Sequence, residues 1–223
     1  MPPLVVGTVA LIVGVLASAA SAEHTMLPLP APAGTEWEII AGYNTATHSQ
    51  ADGNDPYAID IVRVDGPTAG TPALAPVAST IGFVTDSCVG LEDDHGMTLL
   101  LCHLFASPGL EGGSKVMPGQ RIGTVAPDGA AGNNGIAHIH LAVSPTEGGA
   151  SIPLVGQYAL EGIALLPLAE PNAHAGERFV STLLSSGIPV EPPSPEPEPA
   201  QPDAPIPEPA PVAPPAPPVE PPP

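Results

Sequence analysis

Ile136-Ala137-His138-Ile139-His140-Leu141-Ala142-Val143 is the stretch on which the reading of this chain turns. It is apolar throughout except for two histidines set two positions apart. In a strand, side chains at i and i+2 leave the same face, so both imidazoles project together while Ile139 turns into the core. A segment of this kind belongs to a sheet with one buried face and one face that carries chemistry. Two adjacent imidazoles at one spot favour a cation or a proton in motion. The plainer reading, two histidines on an exposed strand, has to be weighed against what the rest of the chain supplies.

Outward from this stretch, the apolar residues between Glu36 and about Pro167 come in short runs broken by Gly, Pro, Asn and Asp, the pattern of strands and turns. The candidate strands are Trp37 to Ile40, Ala58 to Val64, Ala75 to Val84, Met97 to Leu104, Arg121 to Ala126, Ile136 to Val143 and Gln157 to Ile163. Pro118-Gly119-Gln120 reads as a tight turn feeding the strand at Arg121, while Gly112-Gly113 and Gly132-Asn133-Asn134-Gly135 read as loops. No long helix is evident. The expected fold is mainly β, a single antiparallel sheet domain curled into a barrel-like sandwich with a groove and a core of Val, Ile, Leu and Ala.

The two ends read differently. Leu4 to Ala20 is an apolar and small-residue run followed by Ala20-Ser21-Ala22, a small-x-small pattern that signal peptidase accepts, giving residues 1–22 as a signal peptide. Met1-Pro2-Pro3 offers no basic residue ahead of it, so an uncleaved N-terminal anchor stays open, although a span wants ~20 apolar residues. Residues 23–35 read as a linker, 36–188 as the folded domain and 189–223 as a proline-rich disordered tail. That tail is either a solubilising segment or a polyproline II spacer reaching on the order of 100 Å. The chain is expected to be extracytoplasmic, secreted or in the cell envelope, to meet a membrane only if the first segment is uncleaved, and to be a monomer.

A net charge of -19, with Arg63, Lys115, Arg121 and Arg178 as its four basic residues, excludes nucleic acid as a partner. The even cysteine count suits a bridge in an oxidising compartment. Cys88 and Cys102 are expected to join adjacent antiparallel strands, with Val89 to Met97 as the intervening hairpin loop.

Three further polar residues stand against apolar strands. Asp60 lies within Tyr57-Ala58-Ile59-Asp60-Ile61-Val62, and a buried carboxylate needs a counter-charge or a metal. Arg63, the nearest base, should face the other side of that strand. His48 sits in the polar loop ahead of it, Thr47 to Pro56, and His103 ends the apolar run Leu99 to Cys102. His95 reads as a solvated hairpin tip, and His24 and His174 have no motif around them.

In order and context these residues resemble the lysostaphin-type zinc metallopeptidases, which cut peptide bridges in bacterial cell walls. The resemblance covers about Trp37 to Val143 in four stretches. The first is His48 followed by Ala58-Ile59-Asp60-Ile61. The second is Thr71-Pro72-Ala73-Leu74-Ala75-Pro76-Val77 with Gly82-Phe83-Val84, and the third is Cys102-His103-Leu104. The last is Val116 to Gly123, leading through a Gly-rich loop to His138-Ile139-His140-Leu141.

The resemblance implies zinc ligands at His48, Asp60 and His140 and catalytic places at His103 and His138. Twelve positions separate His48 from Asp60, whereas the family commonly has a much shorter spacing with Gly before the Asp, so an inserted loop is implied. Three protein ligands leave one tetrahedral position of zinc open, the arrangement of catalytic sites. A metal so held lowers the pKa of water and polarises a carbonyl. His138 suits the base and His103 the oxyanion donor, with the roles exchangeable. There is no H-E-x-x-H helix for a glutamate-based mechanism. The implied function is a zinc endopeptidase acting on peptidoglycan peptides. The alternatives are a silent domain of the same fold that binds the wall or regulates a partner hydrolase, and a structural module whose histidines bind metal adventitiously.

Overall fold

Buried and half-exposed positions alternate along the strands at the centre of the domain. In Ile59-Asp60-Ile61 and in Ile139-His140-Leu141 the apolar residues are fully buried and the polar one between them is not. The computed structural model describes residues 26–51 and 54–187. The apolar N-terminal run, His24 and the proline-rich tail lie outside the described residues.

Eleven strands form among the described residues, every pair of them antiparallel. They are β1 (Glu36–Ala41), β2 (Ile59–Arg63), β3 (Pro72–Leu74), β4 (Ser79–Val84), β5 (Cys88–Glu92) and β6 (Met97–Cys102). Then come β7 (Leu104–Ala106), β8 (Lys115–Val116), β9 (Arg121–Val125), β10 (Ile139–Pro145) and β11 (Arg178–Val180). One sheet has eight strands in the order β11-β1-β2-β10-β6-β5-β4-β8, and a second has three, β3-β9-β7. The mainly β, antiparallel fold is as expected, and among the described residues the large sheet has open edges at β11 and β8, so its curl does not close into a barrel.

One apolar cluster joins the two sheets. Ile39, Ile59, Ile61, Leu101, Ile139 and Leu141 of the large sheet share it with Ala73, Leu104, Ile122 and Val125 of the small one. Trp37 and Tyr43 are its largest fully buried side chains. Complete burial of a Leu or Ile side chain contributes about 1.5–3 kcal/mol, so this cluster is the main source of stability. Leu27, Leu29 and Ala31, inside the segment expected to be a linker, are buried in the same cluster, with Leu27 bridging to Leu160.

Several expected strands change extent, each for a local reason. The run from Ala75 to Val84 is a strand only from Ser79, because Pro76 has no N–H to give a ladder. The run from Met97 to Leu104 breaks at His103, whose φ of 64° is left-handed, and the chain passes there from the large sheet into the small one. Gln157 to Ile163 forms no strand: a 3-10 turn occupies Gly156–Tyr158 and Gly162 has φ 83°.

Val89 to Glu92, expected as part of a loop, belongs to β5, and the turn is confined to residues 93–96. Asp93 Oδ1 accepts the N–H groups of His95 and Met97 there, so the turn supplies its own acceptor. The pairing of the cysteines is as expected, since Cys88 and Cys102 lie opposite one another in β5 and β6 and are disulfide-bonded. Among the described residues no helix is long and apolar enough to cross a membrane.

Candidate metal centre

Three adjacent strands at the middle of the large sheet build the site. In the pairing of β2 with β10, His140 lies directly opposite Asp60, and across β10 and β6 it lies opposite Cys102. Alternation puts Asp60, His140 and Cys102 on the face away from the core, with His103 at the end of β6. A cleft of ≈ 370 Å³ opens over this face, walled by Ile40, Ile136 and Asn134 and floored in part by the disulfide.

Asp60 is the hub. His48 Nε2 lies 3.1 Å and His140 Nδ1 3.0 Å from its Oδ1, and His138 Nε2 lies 3.6 Å away. His48 reaches it from the loop between β1 and β2 and is itself buried. Its other nitrogen, Nδ1, donates to the Gly42 carbonyl at 2.8 Å. Gly42 cannot carry a side chain, because a Cβ there would collide with the Ala173 carbonyl. Absence of a side chain thus lets the main chain at Gly42 pass close against Ala173.

The remaining histidines are fixed in the same way. His138 Nδ1 donates to the Ile136 carbonyl at 2.7 Å, and His103 Nδ1 donates to the Ala131 carbonyl at 2.8 Å. A carbonyl can only accept, so in each ring the proton on Nδ1 is assigned and Nε2 is the free nitrogen. The loop that carries Ala131 is held by buried Asn133, which accepts from Gly129 N–H and donates to the Pro127 carbonyl. His103 and His138 stand with ring centres 4.4 Å apart. A His with left-handed φ is uncommon, and such strained positions gather at functional sites.

Electrostatics follow from the packing. Burial acts to raise the Asp60 carboxyl, but the hydrogen bonds from His140 and His48 outweigh it and hold the group well below the usual carboxylate range. Burial disfavours a charged His140, yet Asp55 and Asp60 beside it push the imidazole up to about 9. His103 is moved the other way, its proton affinity lowered by burial and by His138 and His140.

The structure therefore brings His48, Asp60, His103, His138 and His140 to one cleft. One donor atom each from His48, Asp60 and His140 lies within 4.8 Å of the others, a spacing that can hold a metal ion. The chemistry of the set fits zinc: two imidazoles and a carboxylate match its donor preference, and ~2.1 Å bonds in a tetrahedron put ligand atoms roughly 3.4 Å apart. The His48–Asp60 and His140–Asp60 contacts need to open by only a few tenths of an ångström to accept it. His95 is an exposed turn residue, and His174 is structural, bonded to Glu177 and to the Leu166 carbonyl. Asp55, whose Oδ2 lies 3.4 Å from His140 Nε2, was not singled out by sequence; the insertion between His48 and Asp60 was the one available signal.

No family model and no curated protein matches the sequence. Solved structures do. The M23 metalloprotease pseudoalterin from the deep sea superposes with a TM-score of 0.51 at 16% identity, over 72% of this chain and 98% of that one. A mutant catalytic domain of the prophage-encoded M23 protein EnpA from Enterococcus faecalis gives a TM-score of 0.41 at 19% identity, over 52% of this chain and 88% of that one. A chain of the SpoIIQ-SpoIIIAH pore-forming complex gives 0.42 at 15%, over 58% and 88%. The fold of this chain is thus similar to that of the M23 metalloprotease pseudoalterin, in line with the resemblance that its sequence bears to the lysostaphin-type enzymes.

Proposed function

We propose that this protein is a zinc-dependent endopeptidase that hydrolyses peptide bonds of bacterial peptidoglycan outside the cytoplasm. The observation that carries the reading is the convergence of His48, Asp60 and His140 on one point of an open cleft, with two further imidazoles beside them. A purely structural metal site is closed by four protein ligands, whereas among the described residues three converge here. Zinc bound there would supply the acidity of the attacking water and the polarisation of the scissile carbonyl.

The chain's own residues supply the rest. His138 presents a bare Nε2 toward the site, so it takes the proton from water, and the Asp60 carboxylate 3.6 Å away stabilises the resulting cation. His103, whose Nε2 is likewise free and whose proton affinity is lowered by burial, holds a proton there only briefly, so one relayed from the adjacent His138 would be given on to the developing oxyanion or the leaving amine. The apolar walls at Ile40 and Ile136 and the absence of Lys or Arg from the lining favour an uncharged peptide backbone over anionic groups.

Purified protein loaded with zinc should release peptide products from at least one cell-wall chemotype. Chelation should abolish the release and added zinc should restore it. Failure on every chemotype, with zinc bound at one per chain, would leave the wall-binding or regulatory domain as the function.

A further inference from the structure

His140 is held from two sides. Its Nδ1 faces Asp60, and its Nε2 faces the Oδ2 of Asp55 at 3.4 Å. Asp55 arrives from the long loop between β1 and β2, the same loop that delivers His48. Its backbone is fixed independently of the side chain: Asp55 N–H donates to the Ser49 carbonyl at 3.1 Å and its own carbonyl accepts from Ala58 N–H at 3.0 Å. The next residue along is fixed as well, since the Pro56 carbonyl accepts from Asn44 N–H at 2.9 Å. Tyr57 N–H donates to the Ser151 hydroxyl. The carboxylate, only 17% exposed, is therefore aimed at the ring rather than sweeping solvent.

From this geometry we propose that Asp55 is a positioning residue of the metal centre: it accepts the Nε2–H of His140 and so fixes the tautomer that leaves Nδ1 for the ion. The proposal rests on the metal site proposed above. Each of the other three imidazoles spends one nitrogen on a main-chain carbonyl, and His140 alone spends it on a carboxylate. A carboxylate behind a ligating histidine raises its basicity as well as orienting it. The two nitrogens of an imidazole point away from each other, so a group bonded to Nε2 is remote from an ion on Nδ1. In keeping with that, Asp55 is not among the residues whose donor atoms cluster within 4.8 Å. The insertion that lengthens the spacing between His48 and Asp60 thus contributes a ligand near one end and the support of a second ligand near the other.

The test uses the full chain and zinc competition against a chromophoric chelator. Asp55→Ala should weaken zinc binding by about 10- to 100-fold. Asp55→Asn keeps an acceptor oxygen and should recover most of the loss. The absorption spectrum of the cobalt-loaded protein should be the same in both variants as in the parent. Asp60→Ala serves as the reference: if it also keeps zinc, the metal site itself is misassigned. If Asp60→Ala loses zinc while both Asp55 variants bind within threefold of the parent, Asp55 has no positioning role.

A changed cobalt spectrum in Asp55→Ala, unrescued by Asp55→Asn, would make Asp55 a direct ligand and overturn the proposal. Nitrogen-15 spectra of the zinc-loaded parent decide the question without any variant. They should show His140 with its proton on Nε2, and a bare Nε2 there would refute the assignment.

Discussion

Each histidine of the site has two nitrogens and only one to spare, and that constraint separates ligand from catalyst. His48 and His140 turn their spare nitrogen to within about 3 Å of Asp60 Oδ1 and His138 only to 3.6 Å. Asp60→Ala or His140→Ala should therefore lose zinc and activity together, since two remaining ligands are too few to hold the ion firmly. His138→Gln should keep zinc and slow turnover by about 100- to 10,000-fold, the usual worth of a positioned base. Metal content by atomic absorption, set beside the rate of peptide release, distinguishes the two outcomes; loss of zinc from His138→Gln would reverse the roles within the pair.

Proton linkage gives a second expectation at the same scale. His140 of the metal-free protein is raised from 6.5 to about 9, so the stability its cation contributes is fully present below 6.5 and is lost as pH climbs through about 9. Zinc has to displace that same proton. Zinc affinity should accordingly rise with pH between about 6.5 and 9, by about tenfold per pH unit from this one group, and then level off. A pH-independent dissociation constant over that range would show that His140 does not exchange a proton for metal.

At the scale of elements, what could be foreseen was whatever alternation dictates. Ile59-Asp60-Ile61 and Ile139-His140-Leu141 announce one apolar and one chemical face, and β2 and β10 pair so that their polar residues meet. Four strands were not foreseen, because β5 carries Gly90 at its centre, β8 has two residues and β3 and β11 have three each, too few to show a period. The break at His103 was equally hidden, since a left-handed residue leaves no mark in an apolar run. Asp55 escaped notice because a carboxylate in a polar loop looks solvated until the fold brings His140 to it.

Two measurements probe these elements. Leu101→Ala, fully buried in β6 between β5 and β10, should cost about 2–5 kcal/mol in denaturant titration. The disulfide closes a separation of 14 residues between β5 and β6, so replacing both cysteines by serine should cost about 3 kcal/mol. A loss well below 1 kcal/mol would mean that the hairpin is held by its ladder alone.

For the molecule as a whole, the described residues, 26–51 and 54–187, lie within one compact unit. Deleting residues 189–223 should leave the melting temperature nearly unchanged, because a proline- and glutamate-rich segment has little apolar surface to bury. A large drop in a calorimetric scan would mean that the segment docks. The outer strands of the large sheet, β8 and β11, are the shortest in it, and they carry two of the chain's four basic residues, Lys115 and Arg178. Strand edges that are brief and charged offer no template on which a neighbouring chain can add. Combined with a net charge of -19, they make self-association unfavourable by both hydrogen bonding and repulsion. Sedimentation velocity should show a single monomeric species at high protein concentration, and copies crowded side by side in a confined layer should stay separate molecules instead of growing into fibrils.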